Sequence, residues 1–257
     1  IVNYDSHRAM MEAWNSKMWN STSGLLLWMS HPAWPSMVWQ IYSWDYETFG
    51  SFYGCRKACE PIHIQKNLDD QKVVVVNTSL KEIKGAKVIY EVYSLEGKSL
   101  FKRTSKLNVL ANGLTECFVQ DKPISVSGVY MERLILQDKR GKVISINDYW
   151  QDNGEGDFQG FNALEEASIN CKLIRQKESQ IQIELQNTGA MPALALKLNV
   201  READTDKRIL PAYASDGYFN LLPGEKRTVT VEYVSRGKVA ISAEGYNLKR
   251  SRLLTLK

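Results

Sequence analysis

The sequence predicts a mainly β protein, two β-sandwich domains preceded by a short α/β segment, and three observations carry that prediction. From Pro61 onward, runs of alternating apolar and polar residues are punctuated by turn residues. The pattern recurs: Asn77-Thr78 and Asn187-Thr188 each end one run, and each is followed by a long second run and a charged turn. Two such blocks suit tandem sandwiches of about 100 residues, the size of immunoglobulin-like domains. Six of the seven tryptophans (Trp14, Trp19, Trp28, Trp34, Trp39 and Trp44) fall in the first 44 residues, which sets that stretch apart. The resulting division is 1–60, 61–155 and 156–257.

Residues 5–19 begin with the capping types Asp5 and Ser6 and place Met10, Trp14 and Met18 four apart, on one face of an amphipathic helix. After Gly24 comes the unbroken apolar run Leu25 to Met29, bounded by His31-Pro32, as in a parallel strand buried on both faces. Helix-compatible spacing resumes after Pro35 and reaches Cys59, interrupted at Gly50 and Gly54. Helix, buried strand, helix is α/β grammar. The β portion reads as strands at 72–79, 87–94 and 129–148, the last with a hairpin turn from Asp138 to Lys142. A loop rich in Gly, Asp and Asn at 152–163 leads to strands at 180–189, 193–202 and 226–234.

Composition narrows the function. At 44% hydrophobic the 257 residues can build real cores, and the formal charge of +4 is spread over 33 basic and 29 acidic residues. No basic block with interleaved aromatics is present, so neither a nucleic-acid nor a membrane partner is implied. No apolar run is long enough to cross a bilayer, and nothing at the N-terminus reads as a signal peptide. Because the chain opens on Ile1, its true start is expected to be missing. Of four cysteines, Cys55 and Cys59 sit four apart on a helix, a poor geometry for a disulfide, and Cys117 and Cys171 stand alone. With three histidines and none near a cysteine pair, a zinc site is not expected, and the cysteines read as buried, inert thiols. No cofactor or metal is called for. The sequons Asn20-Ser21-Thr22 and Asn77-Thr78-Ser79 are short enough to arise by chance.

A short α/β segment with one parallel strand cannot be a domain, since that strand needs neighbours on both sides. Here VNYDSHRAMMEAWNSKMWNSTSGLLLWMSHPAWPSMVWQIYSW, followed by SFYGCRKACEPIHIQ, resembles the end of the (β/α)8 catalytic barrel of glycoside hydrolase family 2, and most of all its exo-β-D-glucosaminidases and related β-mannosidases. INDYW at 146–150 and SDGYFNLLPGEKRTVTVE at 215–232 resemble landmarks of the two sandwiches that follow the barrel there. The resemblance implies that residues 1–60 are the last helix-strand-helix piece of that barrel, with 24–30 as its eighth strand.

The loop Ser30 to Ser36 would then lie at the face where barrel enzymes carry their active sites. Trp28 or Trp34 would offer a flat face to a pyranose of a β-linked oligosaccharide, with His31 or Ser30 as polar contacts. The competing reading makes both tryptophans core or lid packing. Retaining glycosidases need two carboxylates about 5 to 5.5 Å apart. In the family these are glutamates on the fourth and seventh strands, so the resemblance puts them, with the rest of the barrel, upstream of this chain. Asp5, Glu12, Asp45, Glu47 and Glu60 read instead as caps, surface charges or junction residues. His63, after Glu60-Pro61, reads as a packed or hydrogen-bonded junction residue. The resemblance further implies an extracellular or periplasmic protein. A different class of function, a sugar-binding sandwich gripping glycan through Tyr218 and Phe219, and a purely structural role are the alternatives; in that turn aromatics more often pin a loop to its core.

Overall fold

The computed structural model describes residues 1–36, 40–120, 126, 128–152, 154, 156–234 and 237–256. Two helices precede the β portion, α1 (Val2–Asn15) and α2 (Gly50–Ala58). The described residues form two compact units: Ser6–Leu27 with Gly54–Ala163, and Ile1–Asp5 with Trp28–Tyr53 and Leu164–Lys257.

In the first unit the strands are β1 (Ile62–Lys66), β2 (Lys72–Asn77), β3 (Ile83–Ser94), β4 (Ser99–Val109), β5 (Gly113–Val119), β6 (Tyr130–Gln137) and β7 (Val143–Gln151). They make two antiparallel sheets, β1-β2-β5 and β4-β3-β6-β7. Val73 and Val75 from one sheet meet Val88, Tyr90, Val92, Leu134 and Leu136 from the other, the inward-facing alternation that the pleat dictates. Asp138 closes the β6–β7 hairpin: its carboxylate accepts the backbone N–H of Arg140 (2.8 Å) and Lys142 (3.0 Å), which holds its pKa low. An ion pair is buried in this fold, where Lys66 Nζ donates to both oxygens of Glu132 (3.0 and 2.8 Å) and the Tyr90 hydroxyl donates to Glu132 as well (2.8 Å). Burial first, and the Glu132 charge second, push the Tyr90 phenol's pKa up.

The second unit repeats the plan with β8 (Ile169–Lys177), β9 (Gln180–Asn187), β10 (Ala193–Glu202), β11 (Ala212–Ala214), β12 (Phe219–Leu221), β13 (Lys226–Tyr233), β14 (Val239–Gly245) and β15 (Leu248–Leu256). Its sheets are β11-β13-β9-β8 and β12-β10-β14-β15, with Ile181, Ile183 and Leu185 facing Leu196, Leu198 and Ile241 across the core. The turn at Asp216-Gly217 is shaped by packing, because a Cβ on Gly217 would sit 2.8–2.9 Å from the ring of Tyr53. Tyr218 packs against the core and lies 5.9 Å from Tyr53, centroid to centroid, while Phe219 is buried under the Arg227 guanidinium at 5.0 Å. The pair therefore pins its loop to the core.

The recurring Asn-Thr has a structural meaning. Asn77 Nδ2 donates to the carbonyls of Lys81 (2.9 Å) and Leu110 (2.8 Å), and its Oδ1 accepts the Ser79 N–H (3.0 Å). Asn187 Nδ2 donates to Met191 (2.8 Å) and Leu221 (2.9 Å), and its Oδ1 accepts the Gly189 N–H (3.0 Å). The following threonine N–H donates to Pro61 in one unit and Ser168 in the other, at 2.9 Å each. Both asparagines are fully buried. Asn77 is thereby committed to the fold and closed to glycosylation in the folded state, whereas Asn20 is exposed.

The tryptophan-rich segment departs from expectation. Residues 24–27 form no strand, and Leu26 is 96% exposed. A parallel strand exists only where neighbours take its N–H and C=O groups, and among the described residues none pairs with it. The first helix forms but ends at Asn15, and it buries Arg8, Met11 and Glu12, while Met10 and Trp14 face outward. Polar partners on β1 and β7 decide that rotation. The second helix is confined to Gly50–Ala58, and Gly50 opens it where the backbone of Tyr4 leaves no room for a Cβ (2.9 Å). Trp39 lies outside the described residues.

Asn77→Ala and Asn187→Ala each remove a donor shared by two carbonyls. Each is expected to cost its sandwich about 2 kcal/mol, read as a lower denaturant midpoint at unchanged slope; no shift would mean that the pins are idle.

Candidate functional site

Trp28 to Ser36 belongs to the second unit. Trp28 is 79% and Trp34 69% exposed, so neither is core packing there. His31 stacks on Tyr46, centroids 4.5 Å apart and planes 10° from parallel, and its Nε2 lies 3.1 Å from the Trp44 carbonyl. The Ser30 carbonyl accepts the N–H of both Ile41 and Tyr42 at 3.2 Å, which closes the loop on its own base. The loop thus joins His31 to Tyr46 and Trp44, which were not singled out as site residues, and leaves Trp28 and Trp34 open to solvent.

A turn from Ser43 to Glu47 holds Tyr46 in place with a left-handed φ of 64°. The Ser43 hydroxyl bonds the Asp45 carboxylate and accepts the Glu47 N–H at 3.1 Å. Arg208 forks onto both acids, reaching Asp45 Oδ2 at 3.0 Å and bonding Glu47, which also takes Lys197. Asp45 and Glu47, expected as caps or surface charges, are the anchors of the turn that presents Tyr46 and Trp44. No sequence pattern announces them, since Lys197 is 150 residues from Glu47 and Arg208 is 161.

Glu12, expected on an exposed helix face, is 4% exposed and belongs to a buried network of the first unit. His63 Nε2 lies 2.9 Å from Glu12 Oε1, and His63 Nδ1 lies 3.3 Å from Glu60 Oε2. Glu12 also accepts Asn147 Nδ2 (2.6 Å) and the Tyr149 hydroxyl (3.0 Å), and Glu60 accepts Lys57 Nζ (2.7 Å) and the Ser145 hydroxyl (2.7 Å). Burial alone would raise the Glu12 pKa, but His63, Arg8 and Asn147 outweigh it and the carboxyl stays below its usual range. Glu60, likewise opposed by burial, is drawn down to about 2 by His63 and Lys57. A retaining pair needs one carboxyl that keeps its proton near neutral pH. Both are shifted toward the ionised form and are committed to the imidazole and its neighbouring cations.

Among the described residues no group of three or more His, Cys, Asp or Glu side chains is placed to hold a metal ion, and no helix is long and apolar enough to cross a membrane.

The fold defines a mainly β protein of tandem immunoglobulin-like sandwiches with an aromatic, solvent-open loop in the segment ahead of them. Residues 147–248 match the family model of the exo-β-D-glucosaminidase Ig-fold domain. An exo-β-D-glucosaminidase of Arthroderma benhamiae is 26% identical over 97% of this chain and 31% of its own length. A mannosylglycoprotein endo-β-mannosidase of Lilium longiflorum is 25% identical over 96% of the chain and 33% of its own. The crystal structure of the Amycolatopsis orientalis exo-chitosanase CsxA superposes with a TM-score of 0.86 at 26% identity, covering 97% of this chain and 33% of that one. The chain is therefore similar, over almost its whole length, to the C-terminal portion of glycoside hydrolase family 2 enzymes of the exo-β-D-glucosaminidase and β-mannosidase type. It spans about a third of the length of these relatives.

The thiols are free, and they are not uniformly buried: Cys55 is buried, Cys117 and Cys171 are half-buried, and Cys59 is exposed on the turn that ends α2. Burial pushes Cys55 and Cys171 to about 11 and Cys117 to about 12 and raises Cys59 as well, so the exposure of Cys59 is what sets it apart. Iodoacetamide at pH 8 is expected to modify Cys59 first, at least tenfold faster than the other three, as followed by peptide mass spectrometry.

Proposed function

We propose that this chain is the C-terminal portion of a retaining, exo-acting glycoside hydrolase that removes β-linked glucosamine, or mannose, from the ends of oligosaccharides. Residues 1–60 complete its catalytic barrel, and the sandwiches at 61–155 and 156–257 brace it. The observation that carries this reading is the exposure of an apolar segment: Leu26, Trp28 and Trp34 are more than two-thirds open to solvent, and Trp14 is 44% exposed. A protein that stopped at these surfaces would leave large aromatic groups in water. The rest of a barrel would supply the missing strands for residues 24–30 and cover the outward face of α1. Similarity to relatives three times as long supports the same reading.

In this reading Trp28 and Trp34 form one wall of a sugar pocket, with His31, held by Tyr46 and the Trp44 carbonyl, as the polar contact beside them. The catalytic glutamates belong to the upstream strands. The acids of residues 1–60 support that division, since Glu12, Asp45, Glu47 and Glu60 are each committed to cations or to an imidazole. The packing of Tyr218 and the burial of Phe219 argue against a glycan grip at that turn.

The purified 257-residue chain is expected to release no glucosamine from chitosan oligomers and no mannose from β-mannosides; turnover would overturn the placement of the acids. In the intact enzyme, Trp28→Ala or Trp34→Ala is expected to raise KM about tenfold, equivalent to about 1.4 kcal/mol, with the melting temperature unchanged. A fall in melting temperature at unchanged KM would return both residues to packing.

A further inference from the structure

We propose that protonated His63 is a pH-operated latch fastening the Ser6–Asn15 part of α1 to the first sandwich. The imidazole is fully buried, and each of its nitrogens faces a carboxylate oxygen: Nε2 faces Glu12 on α1 and Nδ1 faces Glu60 ahead of β1. Nε2 also lies 3.3 Å from Asn147 Nδ2, whose two hydrogens have shorter bonds to Glu12 (2.6 Å) and to the Ile64 carbonyl (3.0 Å). Carboxylates when ionised only accept, so both bonds exist only while both nitrogens carry hydrogen. A neutral imidazole has one N–H and would turn a lone pair on one of its two carboxylates in a site that water does not reach.

The groups around the ring come from every element packed on it. From α1 come Arg8 and Glu12, from the end of α2 and the residues after it Lys57 and Glu60, and from β1 His63 and Gln65. From β7 come Ser145, Asn147, Asp148 and Tyr149, and Arg133 of β6 is paired with Asp148 at 2.7 Å. Arg8 donates to Asn147 Oδ1 (2.9 Å) and to the Asp148 carbonyl and covers the Tyr149 ring at 4.4 Å, while Gln65 donates to the Glu12 carbonyl (2.9 Å). Tyr149 is held well above its ordinary pKa by burial and by Glu12, and it stays a phenol donor. His63 is the imidazole among them, the side chain whose ordinary pKa lies nearest neutrality.

The sign follows from the ring's surroundings. Burial alone would lower the His63 pKa, but Glu12 and Glu60 together raise it above 6.5. Its fastening is therefore complete below pH 6.5 and is lost as pH rises through the raised value. Glu12 and Glu60 are shifted down from 4.5, so their contribution is present above that pH and is lost only as pH falls toward the folded values. The latch is closed between these limits and opens on the alkaline side.

Hydrogen–deuterium exchange on the full chain from pH 5.5 to 9.5, expressed as protection factors, tests this. Protection of the Ser6–Asn15 amides is expected to fall at least tenfold above pH 6.5 while β6 amides keep theirs. In His63→Gln the α1 protection is expected to be low at every pH. Glu60→Gln, which removes one of the two carboxylates, is expected to move the midpoint to lower pH, and it decides the matter should His63→Gln fail to fold. Flat α1 protection in the native chain, an unchanged profile in His63→Gln, an unmoved midpoint in Glu60→Gln, or equal loss in β6 would each overturn the latch.

Discussion

A polar group enclosed between two sheets has no water to turn to, and much of this structure follows from where such groups find partners. Asn77 and Asn187 occupy the same place in two successive sandwiches and do the same thing there. Each amide draws together the carbonyl of its own turn and one from a distant segment, so that a strand end, a loop and the facing sheet share one fixed point. An apolar residue there would leave those carbonyls unanswered at a cost of about 1–3 kcal/mol apiece. The same demand shapes the first unit around Lys66, Glu132 and Tyr90, where a buried charge is accepted because each of its partners is present.

The helix obeys that rule against the pull of hydrophobicity. An amphipathic helix is expected to bury its Met10–Trp14 stripe. In the first unit α1 instead turns Arg8 and Glu12 inward, because β1 and β7 present a histidine, an asparagine and a tyrosine that those charges satisfy. The apolar stripe is left outside, together with Leu26, Trp28 and Trp34. Large apolar side chains left in water are the counterpart of that polar satisfaction, and each unit carries its own.

Much of the β architecture was legible in advance. The runs at 193–202 and 226–234 alternate because each lines a core on one face, the valines at 73–76 announce a strand buried on both faces, and the Asp138–Lys142 turn declares itself by its residue types. Strand β4, SLFKRTSKLNV, went unread because an exposed edge strand carries lysines and arginine where a central strand carries valine. Strands β11 and β12 have three residues each, too few to show a period. On the site side, the residue block around Ser30 to Ser36 marks the loop proposed to meet the sugar. The anchoring of its neighbours by Arg208 and Lys197 was not legible, because an ion pair between distant segments leaves no local trace.

By itself the sequence determined the periodicities, and with them the strands, the tandem plan and the family resemblance, since each of these depends on residues close together along the chain. It also placed His63, Glu60 and Glu12 in the chain without indicating that they meet. Only the tertiary structure decided that meeting, the inward face of α1 and the irregular path of residues 24–27. Hydrogen-bond satisfaction and strand pairing are settled by partners that folding brings from elsewhere, and where the described residues offer none, as beside residues 24–27, a strand-like run does not make a strand.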